Sequence, residues 1–165
     1  MNATETPLDS YCITNKTCLL TPYTKGGKIH SLIYEKQGIF YISKSPLNVV
    51  RASCREMGSN YQASIQVSKQ YFGDNKHKLP IVITMNYGNP LILFPLFSPK
   101  SPFNSLIVYN SLTDIQEQPN TIDVTFKHEL QSSLNIQYPS FCKQYVHAAM
   151  LHKHLITKWT SNFNH

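Results

Sequence analysis

The chain is short of charge. Only 15% of its 165 residues are Asp, Glu, Lys or Arg, and only nine are acidic. So few carboxylates leave little material for paired acid–base catalysis. No nucleophile elbow or cysteine–histidine signature stands in for them, so the sequence does not read as an enzyme. Long apolar runs are missing as well. Ile81 to Thr84 and Leu91 to Phe97 are strand-sized and bounded or broken by proline, far below the ~20 residues a bilayer crossing needs. The first ten residues, Met1 to Ser10, carry no basic start and no apolar run, which is not the form of a secretion signal. A cytoplasmic protein without a membrane partner is expected. Cys12, Cys18, Cys54 and Cys142 lack the close paired spacing of a zinc knuckle; a reducing cytosol would keep them as small hydrophobes. Seven histidines raise the question of a metal, but His152 and His154 are two apart on a helical stretch and point away from each other. No Asp, Glu or Cys lies three or four residues after His147. No metal and no cofactor are expected. Lys25-Gly26-Gly27-Lys28 lacks the length and the following Lys-Ser/Thr of a P-loop and reads as a flexible basic turn.

The most legible stretch runs from Glu35 to Tyr61. Gly38 precedes the β-branched and aromatic run Ile39 to Ile42, a short strand. A helix from Pro46 to Met57 follows at once, with Ser45 as N-cap, Pro46 at the first helical position and Gly58 as its stop. Leu47, Val50, Cys54 and Met57 form its apolar face. Asn48, Arg51 and Arg55 share a polar stripe, with Lys44 just before the cap on the same side. Such a stripe is either a solvated helix edge or an anion-binding face. Charge distribution favours the second reading. Lys25 to Lys78 holds nine Lys/Arg against Glu35, Glu56 and Asp74, a net +6, while the remaining chain balances at six of each sign. Concentrated positive charge points to phosphate.

Elsewhere the pattern is mostly β. Tyr11 to Ile13 and Thr17 to Leu20 flank the turn-like Thr14-Asn15-Lys16, predicting a first hairpin that sets Cys12 and Cys18 on neighbouring strands. Ile29 to Tyr34 is the next strand, pairing with Ile39 to Ile42. Asn60 to Phe72 mixes helical and alternating spacing and is read as helix. Leu79 to Met85 and Leu91 to Phe97 around Asn86-Tyr87-Gly88-Asn89 form the strongest hairpin signal. Ser98 to Pro102 is a proline-rich loop able to present Lys100 to a ligand. Leu106 to Tyr109, Thr121 to Phe126 and Leu134 to Tyr138 read as further strands. From Ser140 the period becomes helical, with Phe141, Tyr145, Ala148, Leu151, Leu155 and Trp159 on one face. The alternating tyrosines and phenylalanines read as core and cross-strand pairs rather than as a platform for unpaired bases. The expected fold is a single α+β domain: a mostly antiparallel β-sheet of seven to nine short strands with an inserted helix and a C-terminal helix. Residues 1–10 form a flexible N-terminus, 11–160 the domain and 161–165 a short tail.

Glu35-Lys36, Phe40-Tyr41, Pro46-Leu47, Val50, Ser53-Cys54-Arg55, Gly58-Ser59 and Tyr61, followed by His77-Lys78, Pro80-Ile81, Leu93-Phe94-Pro95 and Val124-Thr125-Phe126, resemble the ComK family of competence transcription factors. The similarity resumes from Ile136 to Leu151, so it spans roughly three quarters of the chain. The resemblance implies a DNA-binding activator of genes for DNA uptake, recognising paired A/T-rich boxes on double-stranded DNA from the minor-groove side as a homo-oligomer. Narrow A-tract grooves attract inserted Arg or Lys, so Arg51 and Arg55 are assigned to the groove or adjacent phosphates. Lys36, Lys44, Lys69 and Lys78 are assigned to phosphate positioning. Positions that resemble a basic patch in relatives are here Gln62, Ala63, Ser64 and Ile65. Some C-terminal histidines stand where relatives are basic, so partial protonation would let them substitute weakly for arginine. Relatives continue into a tail associated with activation and with the adaptor of a Clp protease, whereas this chain stops at His165. That leaves an alternative expectation, a shortened paralogue regulating a full-length relative through protein contacts, without DNA binding of its own.

Overall fold

From Leu91 to Pro95 the side chains alternate, Leu91 and Leu93 to one side and Ile92 and Phe94 to the other, yet all are buried. A strand without a polar face must be covered on both sides. The computed structural model describes residues 8–76, 78–85 and 88–163, and this strand lies one in from the edge of its larger sheet. Among the described residues, nine strands, β1 (Thr17–Lys25), β2 (Lys28–Glu35), β3 (Gly38–Ile42), β4 (Ile81–Thr84), β5 (Leu91–Pro95), β6 (Leu106–Val108), β7 (Leu112–Glu117), β8 (Ile122–Phe126) and β9 (Gln131–Leu134), accompany three α-helices, α1 (Pro46–Glu56), α2 (Tyr61–Phe72) and α3 (Tyr138–Phe163). The first six strands form one antiparallel sheet in the order β3-β2-β1-β6-β5-β4, and the last three a second, β7-β8-β9. The architecture is α+β in a single domain, as expected, with two sheets rather than one; the stretch Asn60 to Phe72, read as helix, is the second inserted helix.

One face of the large sheet, including Leu20, Ile33, Ile42, Leu91, Leu93 and Leu106, packs on Val49, Val50 and Cys54 of α1. The opposite face, through Leu19, Ile92, Phe94 and Ile107, joins Phe141, Ala148, Leu151 and Leu155 of α3 and Ile122, Val124 and Phe126 of the small sheet. Phe94 meets Phe141 edge-on at 5.5 Å, a favoured aromatic geometry. Helix α2 runs beside edge strand β4. Its start, with Tyr61 and Ile65, packs on the α1 side, while Val67, Tyr71 and Phe72 pack on the α3 side. It thereby covers an edge that would otherwise offer unpaired backbone groups.

Both inserted helices carry the expected punctuation. The Ser45 hydroxyl accepts from Asn48 N–H at 3.3 Å. Gly58, at φ 76°, donates to Arg55 O at 3.0 Å, and Ser59 N–H donates to Cys54 O at 2.9 Å. That pair of reversed bonds is a Schellman closure and needs the left-handed glycine. Asn60 Oδ1 then accepts from Ala63 N–H at 2.8 Å and starts α2.

Four expectations need correction. Tyr11 to Ile13 is not a strand: Ile13 is fully buried and its N–H donates to the Ser53 hydroxyl of α1 at 3.0 Å, and the segment meets β1 through side chains, the Tyr11 and Thr17 hydroxyls lying 2.7 Å apart, rather than through a backbone ladder. Cys12 and Cys18 therefore do not face each other across a hairpin; β1 pairs with β2 and β6 instead. Leu134 to Tyr138 is not a strand either. β9 ends at Leu134, Ile136 N–H turns back to Leu134 O at 3.0 Å, and α3 begins at Tyr138. Leu134 and Ile136 are both buried, so the alternation is real although the pairing stops. Strand β7 was hidden because its half-buried Leu112 and Ile115 are three apart and its other residues are exposed. On α1 the buried face is Pro46, Val49, Val50, Ser53 and Cys54, while Met57 is 40% exposed. The Asn86–Asn89 turn falls partly outside the described residues, but β4 and β5 pair as expected.

Candidate nucleic-acid interface

Helix α1 is fixed from below and charged above. Ser53 is fully buried, and its hydroxyl donates to Val49 O at 2.9 Å while accepting Ile13 N–H. Cys54 Sγ lies 3.3 Å from the Ser64 hydroxyl of α2. These contacts set the rotation of α1, and the opposite side carries Arg51 and Arg55, one turn apart and both exposed. The Arg51 guanidinium lies 5.7 Å from the Tyr61 ring centroid and donates from Nη1 to Asn48 Oδ1 at 3.4 Å. A cation over an aromatic face is held without being neutralised. Burial pushes the Tyr61 phenol above its ordinary range, against the opposing pull of Arg51, so Tyr61 stays neutral near physiological pH. Arg55 occupies the last turn of α1, where positive charge complements the helix dipole.

The other predicted cations are placed apart. Lys44 is half-buried before the α1 cap, and its carbonyl accepts the Ser31 hydroxyl at 2.7 Å. Lys69 is half-buried in the last turn of α2. Lys36, exposed in the β2–β3 turn, lines a cleft of about 260 Å³ with Lys16, Lys127 and His128. Lys78 lines another, about 390 Å³, with Lys76, Lys143 and His147. The structure therefore brings Arg51 and Arg55 together on one helix face and distributes Lys36 and Lys78 between two separate basic clefts.

Lys16, Lys76, Lys127 and Lys143 complete those clefts and were not singled out from sequence. Three of them lie outside the strongly basic Lys25 to Lys78 segment, in stretches whose charges cancel along the chain. Only folding shows that they sit beside other cations.

The histidines do different work from that expected. His147 packs on Phe72 with ring centroids 5.2 Å apart, and His152 packs on Tyr109 at 5.1 Å. Burial lowers both pKa values, and for His147 the neighbouring Lys76 and Lys143 lower it further. These two imidazoles are neutral near pH 7 and do not substitute for arginine. Among the described residues no group of three or more His, Cys, Asp or Glu is arranged to hold a metal ion, and no helix is long and apolar enough to cross a membrane.

Of the four positions that depart from a basic pattern, Ser64 is buried against Cys54 and Ile65 is half-buried, so only Gln62 and Ala63 are fully exposed. Lys100 lines a largely apolar pocket of about 210 Å³ with Pro46, Leu47 and Tyr61.

A cation-bearing helix packed on one face of the sheet and fixed by buried polar contacts to Ile13 and α2, with two basic clefts elsewhere on the surface, is an arrangement suited to a polyanion. Comparison with known proteins points the same way. No solved structure matches the chain. The Competence transcription factor of Bacillus subtilis (strain 168) is 31% identical over 163 residues, an alignment covering 98% of this chain and 81% of that relative. The family profile described as ComK protein matches residues 8–160, which include β1–β9, α1, α2 and most of α3, and the chain accordingly belongs to the ComK family.

Proposed function

We propose that the chain is a competence regulator that binds double-stranded DNA, preferring A/T-rich boxes, with Arg51 and Arg55 at the groove. The observation that carries this reading is the pair of exposed guanidinium groups one turn apart on a helix whose opposite side is fully engaged in the core. Such a helix presents its charges with little freedom to rearrange. Lys36, Lys44, Lys69 and Lys78 position phosphates around it. Because these lysines are distributed over several surfaces, a single copy offers more than one backbone contact, and recognition of two boxes requires two copies.

The test is titration onto a labelled duplex carrying two phased A/T boxes, beside a G/C-substituted control, across several salt concentrations. Tighter binding to the A/T duplex that persists as salt rises is expected. The Arg51→Ala, Arg55→Ala double variant should keep its fold and lose at least ~10-fold in affinity for the A/T duplex, on the scale of one or two groove or phosphate contacts. Equal, steeply salt-dependent binding to both duplexes would reduce the reading to non-specific phosphate attraction.

A second reading is supported by the uncharged Gln62 and Ala63 on the exposed first turn of α2. It is a regulator acting through protein contact with a full-length relative. Co-purification of such a relative, together with absence of duplex binding at moderate salt, would favour it.

A further inference from the structure

The β1–β2 hairpin outruns the sheet to which it belongs. On one side β1 pairs with β6 only through Leu19 and Leu20; on the other, β2 pairs with β3 only from Ser31 to Glu35. Beyond those residues the two strands pair with each other, through Tyr23 opposite His30, Thr24 opposite Ile29 and Lys25 opposite Lys28. Residues 23–28 are all exposed. Gly26 and Gly27 close the tip at φ 57° and 73°, the two positive values that a tight hairpin turn demands. A Cβ added to either would meet nothing within 4 Å. The result is a narrow two-stranded arm with a bare tip.

The arm is braced at its root. Tyr23 meets the buried Tyr41 ring edge-on at 5.1 Å, His30 lies 5.9 Å from the same ring, and Lys25 Nζ lies 5.7 Å from its centroid. These contacts come from the same face of the arm, since Tyr23 and Lys25 are two apart on β1 and lie opposite His30 and Lys28.

The tip is electrostatically unfavourable in the free protein. Lys25 and Lys28 are direct cross-strand partners, a like-charge arrangement that destabilises a hairpin. The only carboxylate on the two strands is Glu35, which sits at the far end opposite Thr17 and is already engaged by the Tyr11 hydroxyl. Lys25, resting over the Tyr41 ring, and the exposed Lys28 stand on either side of a tip without side chains, and the pair matches a ligand that supplies anions on two sides. The minor groove of duplex DNA does so, with phosphate walls about 6 Å apart.

We propose that the β1–β2 arm is a second duplex-contacting element, its Gly-Gly tip entering or straddling the minor groove while Lys25 and Lys28 each take a phosphate on opposite walls. This rests on the duplex-binding reading and adds to it an element other than α1. Ribbon-shaped readers of either groove are an established solution for DNA, and a tip without side chains approaches the groove floor closely.

The test uses the full chain and the same A/T duplex, comparing wild type with the Lys25→Gln, Lys28→Gln double variant and with Lys25→Arg, Lys28→Arg. Affinity should fall ~10-fold or more in the Gln variant at fixed salt. The slope of log affinity against log salt should become shallower by about two, one for each phosphate that is no longer neutralised. The Arg variant should retain both. Urea unfolding should show the Gln variant close to wild type, because relief of the like-charge pair offsets the lost contact between Lys25 and the Tyr41 ring. A merely structural role for the lysines would instead lower stability and leave the salt slope alone. If wild type binds the duplex and the Gln variant binds with the same affinity and slope, the arm does not touch the duplex and only this proposal falls. If wild type does not bind duplex DNA at all, the function reading falls and the arm proposal with it.

Discussion

Helices α1 and α3 lie on opposite faces of one six-stranded sheet, and they use their surfaces in opposite ways. The inward side of α1 is partly polar, with Ser53 and Cys54 fully buried beside Val49 and Val50. The inward side of α3 is apolar at Phe141, Ala148, Leu151 and Leu155, with Gln144 as its one buried polar residue. Outward, α1 presents Arg51 and Arg55, whose charge no physiological pH removes. Helix α3 carries His147 and His152, whose imidazoles are pressed against aromatic rings and held neutral. Positional basicity along a helix is therefore not the same as available charge. One helix is oriented by hydrogen bonds and leaves its cations free. The other is oriented by packing area and spends His147 and His152 on ring contacts, while its lysines, Lys143 among them, stay exposed.

Breaking the packed side should cost most. Phe141→Ala removes a fully buried ring that meets Phe94 and should destabilise the fold by about 4 kcal/mol, read as a lower urea midpoint. Ser53→Ala tests the hydrogen-bonded side. It leaves Ile13 N–H buried without its acceptor and should cost about 2 kcal/mol. A loss below a few tenths would mean that Ile13 finds another partner and that α1 is held by packing alone, which would erase the contrast. Ser45→Ala removes the cap of α1 and should cost about 1 kcal/mol, with far-UV circular dichroism reporting fraying of the helix start.

The smallest expected effect concerns protons. The folded-state pKa of His147 lies below its ordinary value because burial, and then Lys76 and Lys143, disfavour the imidazolium. Above about pH 6.5 both folded and unfolded chains hold it neutral. As pH falls through that value the unfolded chain takes up the proton first, so stability declines until the folded pKa is passed. His147→Gln should therefore show a smaller drop in urea midpoint between pH 7.5 and pH 5.5 than wild type. An equal drop would place the acid sensitivity elsewhere.

Much of the fold could be read from local chemistry. Ser45, Pro46 and Gly58 marked α1 to within a residue because capping is decided by neighbours in sequence. Gly26-Gly27 and Gly38 marked β2 and β3 for the same reason. Pattern failed where a segment's partner was remote. Tyr11 to Ile13 alternates like a strand, but Ile13 is claimed by Ser53, forty residues on. β7 has almost no buried side to announce it. On α1, helical spacing alone could not tell Val49 and Ser53 from Leu47 and Met57, since adjacent stripes on so short a helix differ by a small rotation that only the sheet beneath decides.

The candidate interface divides in the same way. Arg51 and Arg55 were recoverable because i and i+4 on a capped helix must share a face. That Lys36 joins Lys16 and Lys127, and that Lys78 joins Lys76, Lys143 and His147, was not recoverable, since those groups meet only through strand order and the course of α3. Helix ends, tight turns, the scarcity of acid and the concentration of basic residues were all set by the linear chain, because covalent neighbours carry them. Which cations cluster, which histidines stay neutral and that the β1–β2 hairpin extends past its neighbouring strands were settled by the fold. Charge proximity and desolvation depend on distances across space, and the chain does not set those until the two faces of the sheet are covered.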